Sequence, residues 1–486
     1  MSIFKRYIGN KEFYKELLIV ASPIAFQQFV SSIVNALDTF MVSSFDGSTA
    51  TAAVSIANRY FNSFNAILIA IAISCSVFIA QFFGAKRQDR LKQMFGINLI
   101  VISIFAILAF LIGYFFNEQI IDFLIGAVKQ DDVNSVNYRK YAIDYLSIVV
   151  ISFLPLAITN ALTFTFRPIK MTKVPLISAF AAAFVNAIGN YILINGYLGF
   201  PVLGVKGAAI ATLISRFVEL AILVIYYYIK KPPFYGKLKE IFSIPKILVE
   251  AVFERAKPLV FAQFLTQMMF IIMMFVYARL DEGNPTIIAS ISVTQTIVDL
   301  VIVLVGGMGT AASILVGTRL GAGKIQEARD NARWQLAYVF VFSILSGLVM
   351  IALIPLVGPL FGFKEHEIGL LRTIMILYAL SLPFMFYAIN VIFVTRAGGY
   401  TKAPIFISNI VYYCIKLPII LLFVFVIPEA YEKMTFLHTI LASLGLDTSI
   451  VVFIFMLERI SEVIRAIVAF YIYTHVNWWS NINKTV

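Results

Sequence analysis

The chain has 486 residues; 60% are hydrophobic, only 13% are charged, and the formal net charge is +12. Ordinary soluble domains carry about 25% charged residues, so this composition excludes a fold that must cover itself against water on every side. A bilayer, itself an apolar solvent, removes the difficulty, and the chain reads as an all-α membrane protein.

In chain order, apolar stretches close to the ~20 residues that cross a bilayer core predict helices at 17–43, 53–82, 95–116, 140–165, 174–195 and 206–229. A second series follows at 247–278, 286–317, 334–361, 369–395, 403–427 and 448–473. The runs are too long and too uniformly apolar for barrel strands. Lys5, Arg6, Lys11 and Lys15 precede a full-length span with no small-residue cleavage site, so no cleavable leader is expected. Cys75 and Cys414 fall inside spans and read as packing residues.

With the N-terminus inside, cytoplasmic segments hold 25 of the 38 Lys and Arg residues. This bias predicts a multi-pass protein of the cell membrane with both termini cytoplasmic. It also accounts for most of the net charge, so no basic domain is left for nucleic acid. The longest basic segment, 230–257, is expected to link two halves and lie against anionic lipid headgroups.

The halves are related in sequence. Pro23-Ile-Ala-Phe-Gln-Gln28-Phe29 matches Pro258-Leu-Val-Phe-Ala-Gln263-Phe264, and Ala80-Gln-Phe-Phe-Gly84-Ala85 matches Gly317-Thr-Arg-Leu-Gly321-Ala322. Arg167 with Thr172-Lys173-Val-Pro175 matches Arg396 with Thr401-Lys402-Ala-Pro404, and Arg216-x-x-Glu219 matches Arg459-x-x-Glu462. Six spans per half give both the same orientation, hence about twelve transmembrane helices in two parallel six-helix repeats around a central cavity. The expected division is an N-terminal lobe at 1–229, the linker at 230–257 and a C-terminal lobe at 258–486.

These residues also carry a resemblance. Asn35-Ala-Leu-Asp38-Thr-Phe-Met-Val is similar to the first-helix motif of the multidrug and toxic compound extrusion (MATE) transporters. Ala80 through Ala85, Pro175 through Asn186, Gly204 through Thr212, Val316 through Gly323 and Arg396-Ala-Gly-Gly resemble further signatures of prokaryotic members, in order along nearly the whole chain. The resemblance implies an antiporter exporting organic, often cationic, compounds in exchange for Na⁺ or H⁺. It also implies a coupling-cation site in the first half, at Asp38, Asn186, Asn190 and Thr212. Asn190 stands where prokaryotic relatives often carry aspartate, which weakens the case for Na⁺.

The residues themselves point to the same place. Ionisable groups within spans are costly and mark function; here they are Asp38, Glu219, Asp299, Glu458, Glu462, Arg59, Arg216, Lys416, Arg459 and Arg465. Asp38 lies roughly 7–8 Å inside the outer end of the first helix, at 1.5 Å per residue. Asn186 and Asn190 share a helix face and reach the same depth, as does Thr212. A carboxylate, two amides and a hydroxyl suit a small hard cation, and the carboxylate suits a proton. Arg59 is at a depth where it would pair with Asp38.

Asp299, Gln263, Gln267, Tyr145, Tyr378, Tyr387 and Asn390 are expected to line a cavity for flat organic cations. Arg216/Glu219 and Arg459/Glu462 are expected to self-neutralise three residues apart. His366, His438 and His475 form no metal cluster, and no metal or cofactor is expected beyond the coupling ion. No nucleophile, metal or Walker-type constellation supports an enzyme or an ATP-driven pump. The expected partners are a small organic substrate and membrane lipid, with the monomer as the functional unit. The alternative is a flippase for a lipid-linked or amphipathic anionic cargo, which calls for many cations in the cavity.

Overall fold

The computed structural model of the chain describes residues 7–125, 134–280, 285–360, 368–426 and 435–481, and all its regular elements there are helical. His366 lies outside the described residues. The helices of the first half are α1 (Lys11–Gly84), α2 (Gln88–Phe115), α3 (Asn117–Ile125), α4 (Asn134–Val149), α5 (Phe153–Phe166), α6 (Lys173–Asn195), α7 (Val205–Lys230) and the short α8 (Leu238–Ile241). The second half holds α9 (Lys246–Leu280), α10 (Pro285–Gly321), α11 (Ile325–Leu360), α12 (Ile368–Ala397), α13 (Ile405–Phe425), α14 (Thr435–Ser443) and α15 (Ile450–His475).

The first two expected spans are one helix broken at Asp46 and Gly47, where Gly47 takes φ 52°, a conformation glycine adopts without steric cost. Among the described residues eleven helices are long and apolar enough to cross a membrane. The twelfth is α15, whose 26 residues include Glu458, Arg459, Glu462 and Arg465. α13 is wound largely as π-helical turns, over Ile405–Asn409, Val411–Lys416 and Leu422–Val426.

The membrane inverts the usual helix pattern. On α6, Ile177, Phe180, Phe184, Ile188 and Tyr191 are exposed, while Asn186 and Asn190 are buried. Close approach to α7 depends on small residues: a Cβ on Gly189 would meet Ala211 at 2.9 Å, and one on Gly207 would meet the Leu193 carbonyl at 2.6 Å. Without a hydrophobic drive between helices in lipid, small residues that let backbones approach supply the packing. This contact sets Asn186 beside Thr212.

The chain divides into two compact units: Ser22–Ala256 with Gly317–Gly323, and Lys257–Val316 with Lys324–Ser480 and the start of the chain up to Ala21. Two details show how the ends of these units are held. The start of α1 packs with the second unit, through Phe13 on Trp334 (5.4 Å between ring centroids) and Tyr14 on Tyr338 (5.7 Å). Segment 230–257 is anchored at its start: Phe234 is fully buried among Phe95, Phe166 and Tyr227, and Lys92 pairs with Glu240 at 2.7 Å.

Within the first unit the repeated glycine turns meet each other. A Cβ on Gly84 would run into the carbonyl of Thr318, and a Cβ on Gly321 into the carbonyl of Gln81. Gly84 corresponds to Gly321 in the repeat, and Gln81 to Thr318, so the contact is reciprocal. Each glycine's Cα–H faces the carbonyl that closes the other turn, a close approach with weak C–H···O character.

Candidate functional site

The first unit joins the four residues expected at the coupling site into one hydrogen-bonded chain. Asn190 Nδ2 donates to Asp38 Oδ1 and, at 3.4 Å, to Asn186 Oδ1. Asn186 Nδ2 in turn donates to Thr212 Oγ1 at 3.3 Å. α1 supplies the carboxylate, α6 both amides on one face, and α7 the hydroxyl. Asn186 and Asn190 are 2% and 0% exposed, so their polarity is committed to this chain rather than to water.

The satisfaction of this chain is incomplete. Asn190 Oδ1 is buried and accepts no hydrogen bond, and an unmet buried acceptor costs about 1–3 kcal/mol. It lies on the same amide that grips Asp38. A proton on Asp38, or a small cation beside it, would satisfy both groups together. Tyr145, placed by sequence among cavity residues, is buried here instead, with its hydroxyl in reach of Asn58 and Thr212. Asn58 had no separate signal, being one amide among many polar residues on α1.

Arg59 does not join the site. It is exposed, it interacts electrostatically with Tyr138, and among the described residues it forms no ion pair with Asp38. The cation that acts on Asp38 is Arg216, which is bound to Glu219 at 3.0 Å as its spacing predicts. Gln27 accepts from Arg167 at 2.7 Å below this region, a buried link between α1 and the turn after α5.

The second unit arranges its polar residues differently from the first. Asp299 is exposed and accepts from Gln295 at 2.7 Å; Gln295 accepts from the Tyr378 hydroxyl at 3.2 Å; Arg459 lies 4.1 Å over the Tyr378 ring. The line continues through Glu458 to Lys416, at 2.8 and 2.5 Å. Arg459 therefore pairs with Glu458, and Glu462 pairs with Arg465. The expected Arg459/Glu462 pair is replaced because α13 brings Lys416, Tyr412 and Ser408 against α15. Three cations and two carboxylates give the cluster a net charge of +1.

Asn390 does not line a cavity. It is fully buried, accepts from Gln335 at 2.7 Å and donates to the Phe386 carbonyl at 2.9 Å, holding α12 to α11. Gln263 and Gln267 are half-buried on α9. Tyr387 lines a cavity with Arg329, Arg333, Trp478 and Trp479, away from Tyr378 and its partners. Among the described residues no group of three or more His, Cys, Asp or Glu side chains could hold a metal ion.

Comparison with known proteins places the chain in a family. The MatE family model matches residues 23–192 and again 258–422, once in each half. The chain is 23% identical over 368 residues to the probable multidrug resistance protein NorM of Halalkalibacterium halodurans, covering 74% of this chain and 77% of that protein. It is 23% identical over 414 residues to the probable multidrug resistance protein YoeA of Bacillus subtilis, covering 84% and 86%. Among solved structures, a variant of the Vibrio cholerae MATE transporter VcmN superposes with a TM-score of 0.79 at 18% identity, over 96% of this chain and 98% of that one. At that identity the likeness is one of fold.

Proposed function

This chain belongs to the multidrug and toxic compound extrusion (MatE) family of membrane transporters, and on that premise we propose that it is a secondary antiporter exporting small organic cations in exchange for protons. The carrying observation is the Asp38–Asn190–Asn186–Thr212 chain with its unmet Asn190 Oδ1. A single carboxylate suits a proton better than Na⁺, since one negative charge already shared with an amide N–H is a sparse donor set for a hard metal ion. Protonated Asp38 becomes a donor, and the Asn190 amide can then offer Oδ1 in place of Nδ2. That exchange changes which groups bind α1 to α6, and it is how proton binding would bias alternating access.

The protein works in this reading as a monomer in the cell membrane, both termini cytoplasmic, as the Lys and Arg distribution supports. Exposed Asp299, oriented by Gln295, offers an organic cation a counter-charge. The test is efflux of ethidium from vesicles energised by an imposed pH or Na⁺ gradient. Efflux driven by the pH gradient and lost in Asp38→Asn supports the proposal; efflux driven by neither gradient sinks it, and efflux driven by Na⁺ alone removes the proton.

A second reading, movement of an amphipathic anion, draws on the net +1 of the Lys416, Glu458, Arg459, Glu462 and Arg465 cluster. That charge is small and tied into pairs, which favours the cation. Transport of an anionic dye in preference to ethidium would reverse the order.

A further inference from the structure

The cavity around Arg329 and Arg333 is independent of the Asp38 site. It measures about 690 Å³, within the range of ligand pockets, and all its walls belong to the second unit. Arg329 and Arg333 stand in the first three turns of α11, at the end where α12 and α15 finish and α1 begins. Basic residues gather at this end of the unit: Lys324, Arg396 and Lys402 lie at the start of α11 and the end of α12 and just past it.

Arg329 stacks on Trp479 at 4.2 Å. Stacking uses the face of a guanidinium and keeps its N–H donors in the plane, the fork that suits a phosphate. Arg333 meets Asp330 only at 3.5 Å, so most of its donors remain available, and Glu327 in the first turn is paired with Lys324. Tyr7, Tyr387, Tyr473 and Trp478 complete the rim, the aromatic types that settle at a headgroup layer.

Below the rim the cavity opens along an apolar wall. Phe340, Ile467 and Phe470 line it and are 39%, 63% and 58% exposed. Phe340 is seven residues past Arg333 on α11, about 10 Å along the axis, so the wall runs from headgroup level into the hydrocarbon. The site is preformed: Trp478 Nε1 donates to the Tyr473 carbonyl at 3.1 Å, and Ser480 holds the Gly398 carbonyl.

We propose that this cavity binds an anionic phospholipid, its phosphodiester on Arg329 and Arg333 and an acyl chain along Phe340, Ile467 and Phe470. A soluble organic cation is opposed by the two arginines, and a soluble phosphate would leave the apolar wall uncovered. Basic residues near a membrane surface each favour anionic lipid roughly fivefold.

The chain has three tryptophans, Trp334, Trp478 and Trp479, two of them in the cavity wall, so their fluorescence reports the occupant. The full chain is reconstituted in mixed phosphatidylcholine and phosphatidylglycerol vesicles, with bromine on the chains of one lipid or the other. Quenching is expected to be stronger when the phosphatidylglycerol is brominated. The excess is expected to vanish in R329Q/R333Q and to survive in K237Q/K239Q, which removes the same charge elsewhere on the basic surface.

Equal quenching by the two brominated lipids in the wild type overturns the proposal. So does an excess that persists in R329Q/R333Q while thermal unfolding shows the variant folded. Relief of quenching by inorganic phosphate, but not by sodium chloride at equal ionic strength, reassigns the site to a soluble anion. None of these outcomes depends on transport, so they are distinct from failure of the antiport reading.

Discussion

A methyl group added at Gly84 or Gly321 tests the reciprocal turn contact directly. The alanine Cβ would strike the Thr318 or the Gln81 carbonyl respectively. Neither obstacle is a flexible side chain that can swing away. Both carbonyls already accept backbone bonds, from Ala322 at 3.1 Å and Ala85 at 2.9 Å, so relief requires a helix end to move. Overpacking of this kind costs about 1–3 kcal/mol. Alanine's better helix propensity returns at most about 1 kcal/mol, so the steric term decides the sign. As a shift between joined and separated turns, 1–3 kcal/mol is roughly 5- to 150-fold. Both substitutions act on one contact, so the double variant should cost less than the sum of the singles. Hydrogen–deuterium exchange read by mass spectrometry on peptides spanning the two turns is the assay. Either single variant should speed exchange in both turns, because each turn is the other's wall. Acceleration confined to the substituted turn, or slower exchange from propensity alone, refutes the contact.

The other predictions concern side chains. Asn190→Ala removes the donor to Asp38 and should lower stability by about 1.5–3 kcal/mol, the worth of a hydrogen bond to a charged group; an unchanged thermal unfolding temperature would contradict the chain described above. Asn190→Asp supplies a second carboxylate and should make ethidium efflux respond to a Na⁺ gradient; no response would mean the site cannot be converted to a metal site by charge alone. Glu458→Gln strands two cations and should cost about 3–5 kcal/mol, whereas Lys416→Met leaves the Arg459–Glu458 pair and brings the cluster to neutrality, so it should cost less. Denaturation of the two variants in detergent decides, and the reverse order would refute the pairing. Outside the membrane, Lys92 holds the Glu240 carboxyl below its ordinary range. A depressed carboxyl contributes stability above its unfolded pKa and loses it as pH falls through the folded one, so α8 should loosen on α2 only in acid. Exchange in the α8 peptide that is equally fast at neutral and acid pH, corrected for intrinsic rates, would count against it.

The sequence by itself determined the elements. Runs of apolar residues long enough to cross a bilayer can form only helices there, since every backbone group must be satisfied within its own segment. The repeated Pro23/Pro258 and Gly84/Gly321 motifs made the duplication legible, and the family match falls once in each half. Asp38, Asn186, Asn190 and Thr212 could be grouped from the family resemblance together with depth and helical spacing, because a polar group in a span must find a polar neighbour at its own level.

Tertiary structure decided the partners. Arg216 and Glu219 lie on one helix and pair as their spacing dictates, but Glu458 and Glu462 chose differently once α13 brought Lys416, Tyr412 and Ser408 alongside. Arg59 looked level with Asp38, yet depth gives no azimuth, and its side chain is exposed while Arg216 acts on the carboxylate. Asn390 passed for a cavity residue because a mid-span amide reads the same whether it faces a cavity or the Gln335 of a neighbouring helix. Local spacing fixes which residues share a face and how deep they lie. Only the packing of several helices fixes what that face meets, because a contact between distant segments depends on rotation and approach that no single segment encodes.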